Sequence, residues 1–308
     1  MDRNNSEKNK KTSIFLIGDS LMADYPKDGY FPQQGWGKYF SEYFNKDKAN
    51  VYNTARGGES TSSFMKNPEL FEEKVLKRIT KGDVAVISLC HNDQFSKRTL
   101  AKKGEKFVYI SDDEHCDLEI KKSTGNIPRR IDGLTPVCTV GCDVKKYKEN
   151  LSFLAGKIKE KNAFAVFVTE PNTGERMYTR DGYAEAMVDV AKEKNCDFFD
   201  LYTFHNQYIE SYFESSFVAE HAITKVPLFV QEQMFLYKLK ERGIISAEEQ
   251  KTHLNQNIRK TGSDLVHLSG NGAELVAKWV ADHLKDSVFG SLLLKKTFYK
   301  NKAAKQQN

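Results

Sequence analysis

The sequence predicts an α/β protein built on a five-stranded parallel sheet with helices on both faces. Three observations predict it. Five short, nearly continuous apolar runs recur along the chain, the pattern of strands buried on both sides. Segments of helical length, with apolar residues at helical spacing, separate them. Turn residues follow the first three runs at once, as Gly18-Asp19-Ser20, Arg56-Gly57-Gly58 and His91-Asn92. In open parallel sheets, ligands bind beyond the carboxyl ends of the strands, where those three turns fall.

The elements follow in order. Residues 13–17 form the first strand, ended by Gly18. Gly35-Trp36-Gly37 opens a helix that runs through Phe44, and residues 49–53 form the second strand. Pro68 starts a helix, since its missing N–H would be unpaired in a first turn anyway, with Leu70, Phe71, Val75, Leu76 and Ile79 as apolar positions. Residues 83–89 are the third strand, 147–161 an amphipathic helix, 164–169 the fourth strand, 182–194 a helix, 197–201 the fifth strand and 270–284 a closing helix. This order fits a flavodoxin-like, doubly wound three-layer α/β/α sandwich. The expected organisation is one domain over residues 13–288, a disordered or extended tail at 1–12 and a basic tail at 289–308. Two segments interrupt the alternation. Residues 96–143 are charged and rich in turn residues, and either shape a cleft or cover a sheet edge. Residues 204–262 read as helical, with Phe204, Tyr208, Tyr212, Phe213, Phe229, Phe235, Leu236 and Leu239 best explained by packing.

Composition excludes several classes of function. The formal charge is +5, but five lysines without an acid lie in residues 295–308, and residues 1–11 carry four bases against two acids. The body between them is slightly acidic and lacks the basic face that a nucleic-acid reader needs. No run of about 18 apolar residues is present, so no membrane span is expected. The first residues have charge but no apolar core of a signal peptide, which reads as a cytoplasmic protein or a secreted one whose signal has been removed. Five cysteines suit a reducing compartment. Cys138 and Cys142, with His115 and Cys116 upstream, fit ordinary buried thiols better than a zinc site, so no metal is expected there. The sequence carries no signal for an oligomeric state.

The chemistry is sought as a constellation. A serine hydroxyl needs a base within hydrogen-bond reach, the base needs a group that fixes its tautomer, and the carbonyl under attack needs donors aimed at its developing charge. Ser20 stands on a strand-end turn after Gly18. Taken alone, Gly-Asp-Ser reads equally as a helix cap. Asp264 and His267, three residues apart before the last helix, can share one side of a turn. Gly58 can bring a backbone N–H close to an oxyanion, and Asn92 supplies uncharged side-chain N–H donors.

The order Gly18-Asp19-Ser20, Gly58, Asn92-Asp93 and Asp264-x-x-His267 resembles the SGNH (GDSL-like) hydrolase family. The resemblance implies that family's three-layer fold, with Ser20 as nucleophile, His267 as base and Asp264 as its orienting acid. It also implies an oxyanion hole from the backbone N–H groups of Ser20 and Gly58 and the Asn92 amide. Longer runs are similar to rhamnogalacturonan acetylesterases and related carbohydrate acetylesterases: residues 18–25, Gly35-Trp36-Gly37, residues 53–60, His91-Asn92-Asp93, residues 183–187 and 267–274. They imply a cofactor-free serine esterase that removes O-acetyl groups from plant-wall oligosaccharides of the pectin, rhamnogalacturonan or xylan type. A lipid or thioester hydrolase on the same scaffold, and a catalytically silent carbohydrate-binding protein, are the alternatives. One departure is Cys90, where the family pattern has glycine before His-Asn-Asp; its side chain needs room beside the oxyanion site.

Overall fold

The computed structural model describes residues 10–25, 33–95, 98–110, 134–171, 182–214, 267–268 and 270–292, with a few isolated positions between 240 and 252. Five strands form the expected parallel sheet: β1 (Thr12–Gly18), β2 (Ala49–Asn53), β3 (Val84–Ser88), β7 (Phe164–Val168) and β8 (Asp197–Phe199). Their spatial order is β2-β1-β3-β7-β8, so β1 and β3 lie centrally. In register, Leu16 faces Val86, Ile17 faces Ile87 and Gly18 faces Ser88.

The alternation of side chains along these strands makes the three layers. Phe15, Ile17, Ala85, Ile87, Ala165 and Phe167 point into one apolar cluster. Ile14, Leu16, Val84, Val86, Val166 and Val168 point into the other. Helices α4 (Val144–Glu160) and α5 (Tyr183–Glu193) cover the first face. The second is covered by α1 (Gly37–Phe40), α6 (Leu201–Glu214) and α7 (Gly270–His283). Trp36, Phe40 and Phe44 stack edge to face at four-residue spacing, and Phe40 and Phe44 also meet buried Phe289.

Local differences from expectation have physical causes. The helix after Pro68 is a π-helix over Glu69–Leu76, with bonds such as Glu73 N–H to Pro68 O (2.9 Å) and Lys77 N–H to Glu72 O (2.9 Å). Its buried pairs Leu70-Phe71 and Val75-Leu76 are five residues apart, which i→i+5 bonding turns to one side. The helix begun at Gly37 tightens into a 3₁₀ turn at Ser41–Tyr43. The fifth strand stops at Phe199 because Asp200 caps the next helix, accepting from the Thr203 N–H (3.1 Å) and hydroxyl (2.7 Å). The segment at 96–143 contains a second, antiparallel sheet: β4 (Thr99–Lys103), β5 (Lys106–Ile110) and β6 (Leu134–Thr139), in the order β5-β4-β6. Gly104, at φ +60°, makes the two-residue turn between β4 and β5.

Backbone hydrogen bonds hold the loop after β1. The N–H groups of Gly35, Trp36 and Gly37 donate to Ala23 O (3.0 Å), Leu21 O (2.9 Å) and Met22 O (3.1 Å). A Cβ on Gly35 would sit 2.2 Å from Ala23 O, and one on Gly37 2.4 Å from Met22 O. Gly35→Ala should therefore lower unfolding free energy by about 3 kcal/mol in urea titration, because backbone cannot move aside as a side chain can. Gly156→Ala, in mid-helix α4 with nothing within 4 Å of the added carbon, should instead raise it by about 0.5–1 kcal/mol.

Candidate functional site

Ser20 lies just past the end of β1 and is 6% exposed. Asp19 before it is fully buried and accepts from the Leu21 N–H at 2.9 Å, which folds the Gly18–Leu21 turn. Gly18 cannot carry a side chain there, since a Cβ would meet Met22 Cβ at 2.8 Å and Ser88 O at 2.9 Å.

The loop leaving β2 runs alongside. Thr54 and Arg56 donate backbone N–H groups to Leu16 O (2.9 Å) and Gly18 O (3.1 Å), so this loop tracks β1 to its end. Gly57 then passes close to the serine: a Cβ on it would lie 3.9 Å from Ser20 Cβ and 2.9 Å from the Tyr25 hydroxyl. Gly58 has φ +83°, the left-handed region that glycine occupies without strain. Glu59, fully buried, is paired with Arg56 and accepts from the Ser63 hydroxyl at 2.6 Å. Ser60 caps the short helix α2 (Thr61–Lys66), with Ser63 completing a reciprocal capping box.

From β3 comes the short helix α3 (His91–Phe95). Asn92, 6% exposed, donates through Nδ2 to Glu59 O at 2.9 Å and lies 3.4 Å from Asp19 Oδ2. Asp93 binds the first turn of α2 through the Thr61 N–H (2.9 Å) and hydroxyl, and accepts from the Cys142 thiol at 3.2 Å. Cys90 finds its room in the layer under α4: its thiol is buried there and accepts from Gln94 Nε2 at 2.7 Å. Burial pushes that thiol well above the usual range, so it is a packed group and not a thiolate.

His267 is partly buried on the turn before α7. The link between its segment and the Ser20 loop is Gln34. The Gln34 N–H donates to Leu268 O (2.9 Å), while its side chain pairs with both backbone groups of Tyr25, at 2.8 and 2.9 Å. Ser20, Gly58 and Asn92 thus share one end of the sheet, and His267 belongs to a segment hydrogen-bonded to the same loop. Asp264 lies outside the described residues, as do His115 and Cys116. Among the described residues, no group of His, Cys, Asp and Glu could hold a metal ion, and no helix is long and apolar enough to cross a membrane.

The sequence did not single out four residues that build this site. Gln34 and Arg98 act through tertiary contacts that have no sequence pattern. Asp19 stood inside the serine motif but was given no role of its own. Glu170, two residues past the end of β7, is 7% exposed and close enough to Asp19 to feel its charge. Four carboxyls, those of Asp19, Glu59, Asp93 and Glu170, are therefore buried in the loops at this end of the sheet. Like charges at such density cannot all ionise. Arg56 neutralises Glu59. Burial, with the charge of Asp19 adding to it, holds Glu170 protonated well above the usual carboxylate range. Burial likewise pushes Asp93 up to about 7, against hydrogen bonds from Thr61 and Cys142 that favour its anion.

The family model of the GDSL-like Lipase/Acylhydrolase family matches residues 16–218. Rhamnogalacturonan acetylesterase RhgT of Bacillus subtilis is 29% identical over 198 residues, which is 62% of this chain and 66% of that protein. The uncharacterized esterase YxiM of the same organism is 33% identical over 81 residues, 26% of this chain and 21% of that one. The chain thus spans under two thirds of the length of these curated relatives. The crystal structure of the B. subtilis protein YXIM superposes with a TM-score of 0.53 at 18% identity, over 90% of this chain and 56% of that one, which is a likeness of fold.

The Asp93 shift has a measurable sign. An unfolded aspartate titrates near pH 4. Between there and about 7 the folded chain holds the extra proton. The stabilisation is therefore fully present below about pH 4 and is lost as pH rises through about 7. Calorimetric Tm should fall from pH 5 to pH 8, and the fall should be shallower in Asp93→Asn, which has no proton to lose.

Proposed function

Because the chain belongs to the GDSL-like lipase/acylhydrolase family, we propose that it is a serine esterase that removes O-acetyl groups from plant-wall oligosaccharides of the rhamnogalacturonan type. The observation that carries this reading is the meeting of Ser20 with the Gly57-Gly58 turn and the hydrogen-bonded Asn92 amide at the carboxyl end of the two central strands. The name of the B. subtilis relative, a rhamnogalacturonan acetylesterase, supports the substrate class.

In this mechanism His267, oriented by Asp264, takes the proton of the Ser20 hydroxyl as its oxygen bonds to the acetyl carbonyl carbon. The carbonyl oxygen becomes an oxyanion and is met by the N–H groups of Ser20 and Gly58 and by Asn92 Nδ2. The tetrahedral centre collapses, the bond to the sugar oxygen breaks, and His267 returns the proton to that oxygen. Water, deprotonated by the same imidazole, then releases acetate and restores Ser20. No cofactor is needed at any step. An acetyl group asks for only a small acyl site, whereas a long chain asks for an apolar channel.

Ser20→Ala and His267→Ala should each lower the rate of acetate release by at least about 10⁴-fold. Asn92→Ala should lower kcat by about 10²–10³-fold. Turnover of nitrophenyl esters should fall from acetyl to butyryl; a rise would move the reading to a lipid or thioester hydrolase. Failure of a fluorophosphonate to label Ser20 would move it to a carbohydrate-binding protein. Acetate release from acetylated rhamnogalacturonan, compared with xylan and mannan oligosaccharides, tests the sugar.

A further inference from the structure

An asparagine amide can act as an oxyanion donor only if its NH₂ end faces the substrate. The two ends have nearly the same shape, so orientation is set by what each end touches. In this chain Asn92 Nδ2 faces Glu59 O at 2.9 Å, and Oδ1 accepts from Arg98 Nη2 at 2.7 Å. A guanidinium has donors only. Turning the amide over would put NH₂ against the guanidinium and Oδ1 against a carbonyl and the Asp19 carboxylate, two repulsive pairings in a buried place.

Arg98 also reaches the second donor. A Cβ built on Gly58 would lie 3.2 Å from Arg98 Nη1 and 3.4 Å from Nη2, so the guanidinium is in contact range of the turn that carries the Gly58 N–H. It is delivered there by the inserted sheet. Arg98 O accepts from the Val140 N–H at 2.8 Å, next to the Thr99–Thr139 pair of β4 and β6, and Thr99 is buried.

We propose that Arg98 is a positioning residue of the oxyanion hole: it locks the Asn92 amide with its donor end toward the acyl site and packs over the Gly58 turn, which makes the inserted sheet part of the catalytic apparatus. The inference rests on the esterase reading given above. A charge-assisted bond at Oδ1 also polarises the amide and strengthens its N–H groups as donors. The benefit falls on the transition state, where negative charge develops, and not on ground-state binding.

The test is steady-state kinetics on a nitrophenyl acetate, with active sites counted by fluorophosphonate titration. Arg98→Met keeps bulk without charge or donors; Arg98→Lys keeps charge without the planar fork. Arg98→Met should lower kcat per titrated site by about tenfold or more while KM changes less than about threefold. Arg98→Lys should fall between it and the parent. In an Asn92→Ala background, Arg98→Met should add less than about twofold, because the group it positions is gone. A merely structural role would lower Tm and the titratable fraction but leave kcat per titrated site unchanged, and that result overturns the proposal. So does an Arg98→Met penalty of equal size with and without Asn92, or an Asn92→Ala variant with the parent's kcat. If Ser20→Ala retains activity, the esterase reading itself fails; if Ser20→Ala is dead and Arg98→Met is unimpaired, only this inference fails.

Discussion

Met22 and its neighbours are surrounded by backbone. Three consecutive N–H groups, from Gly35 to Gly37, close on the carbonyls of Leu21 to Ala23. The Asn53 side chain adds a bond to Met22 O at 3.0 Å. At Gly35 and Gly37 the approach leaves no space for a Cβ, and it removes the freedom a strand-end loop would otherwise have. A nucleophile on a mobile loop would lose much of the advantage of orientation. Here the turn holding Ser20 inherits the rigidity of the sheet from β1 on one side and of the Gly35–Gly37 segment on the other. The Gln34 bridge extends the same frame to the chain around Leu268, so the rest of the site is arranged against a fixed edge.

Around that edge the protein accepts an electrostatic cost. Four carboxyls are buried within the walls of one site, and each is handled differently: Glu59 by an arginine, Asp93 by one helix amide with hydroxyl and thiol donors, Asp19 by the turn it folds, and Glu170 by keeping its proton. These carboxyls tie the loops after β1, β2, β3 and β7 to one another. Residues far apart in sequence become one polar network, satisfied by side-chain and backbone donors together. The arrangement exchanges some stability near neutral pH for precise placement of Ser20 and Asn92.

Much of this was legible in the sequence, for identifiable reasons. Strands buried on two faces must be nearly all apolar, so residues 14–17, 84–87 and 165–168 announced themselves, and their strand-end turns located the site. The five-residue spacing of Leu70-Phe71 and Val75-Leu76 was visible too, but periodicity alone reads it as an α-helix. The hairpin at Gly104 has a proper two-residue turn between Leu100-Ala101 and Phe107-Val108; the lysines around it masked the alternation. Arg98 and Gln34 were not legible at all. Each matters because of what it meets across the fold, at separations of 6 residues for Arg98 with Asn92 and 234 for Gln34 with Leu268, and neither pairing follows a local rule.

The second sheet leaves and rejoins the main frame through a narrow neck. Cys142 N–H bonds to Asp93 O at 3.0 Å and Val140 N–H to Arg98 O at 2.8 Å, so an excursion of some forty residues enters and exits between neighbouring backbone groups. Closing a loop that long adds little entropy for each further residue. The excursion is therefore an exchangeable module: lengthening or swapping its outer part leaves the parallel sheet untouched. The limit on such swaps is chemical. On the role proposed for Arg98, whatever replaces the excursion has to return a cation to the amide oxygen of Asn92, or the graft folds and the chemistry slows.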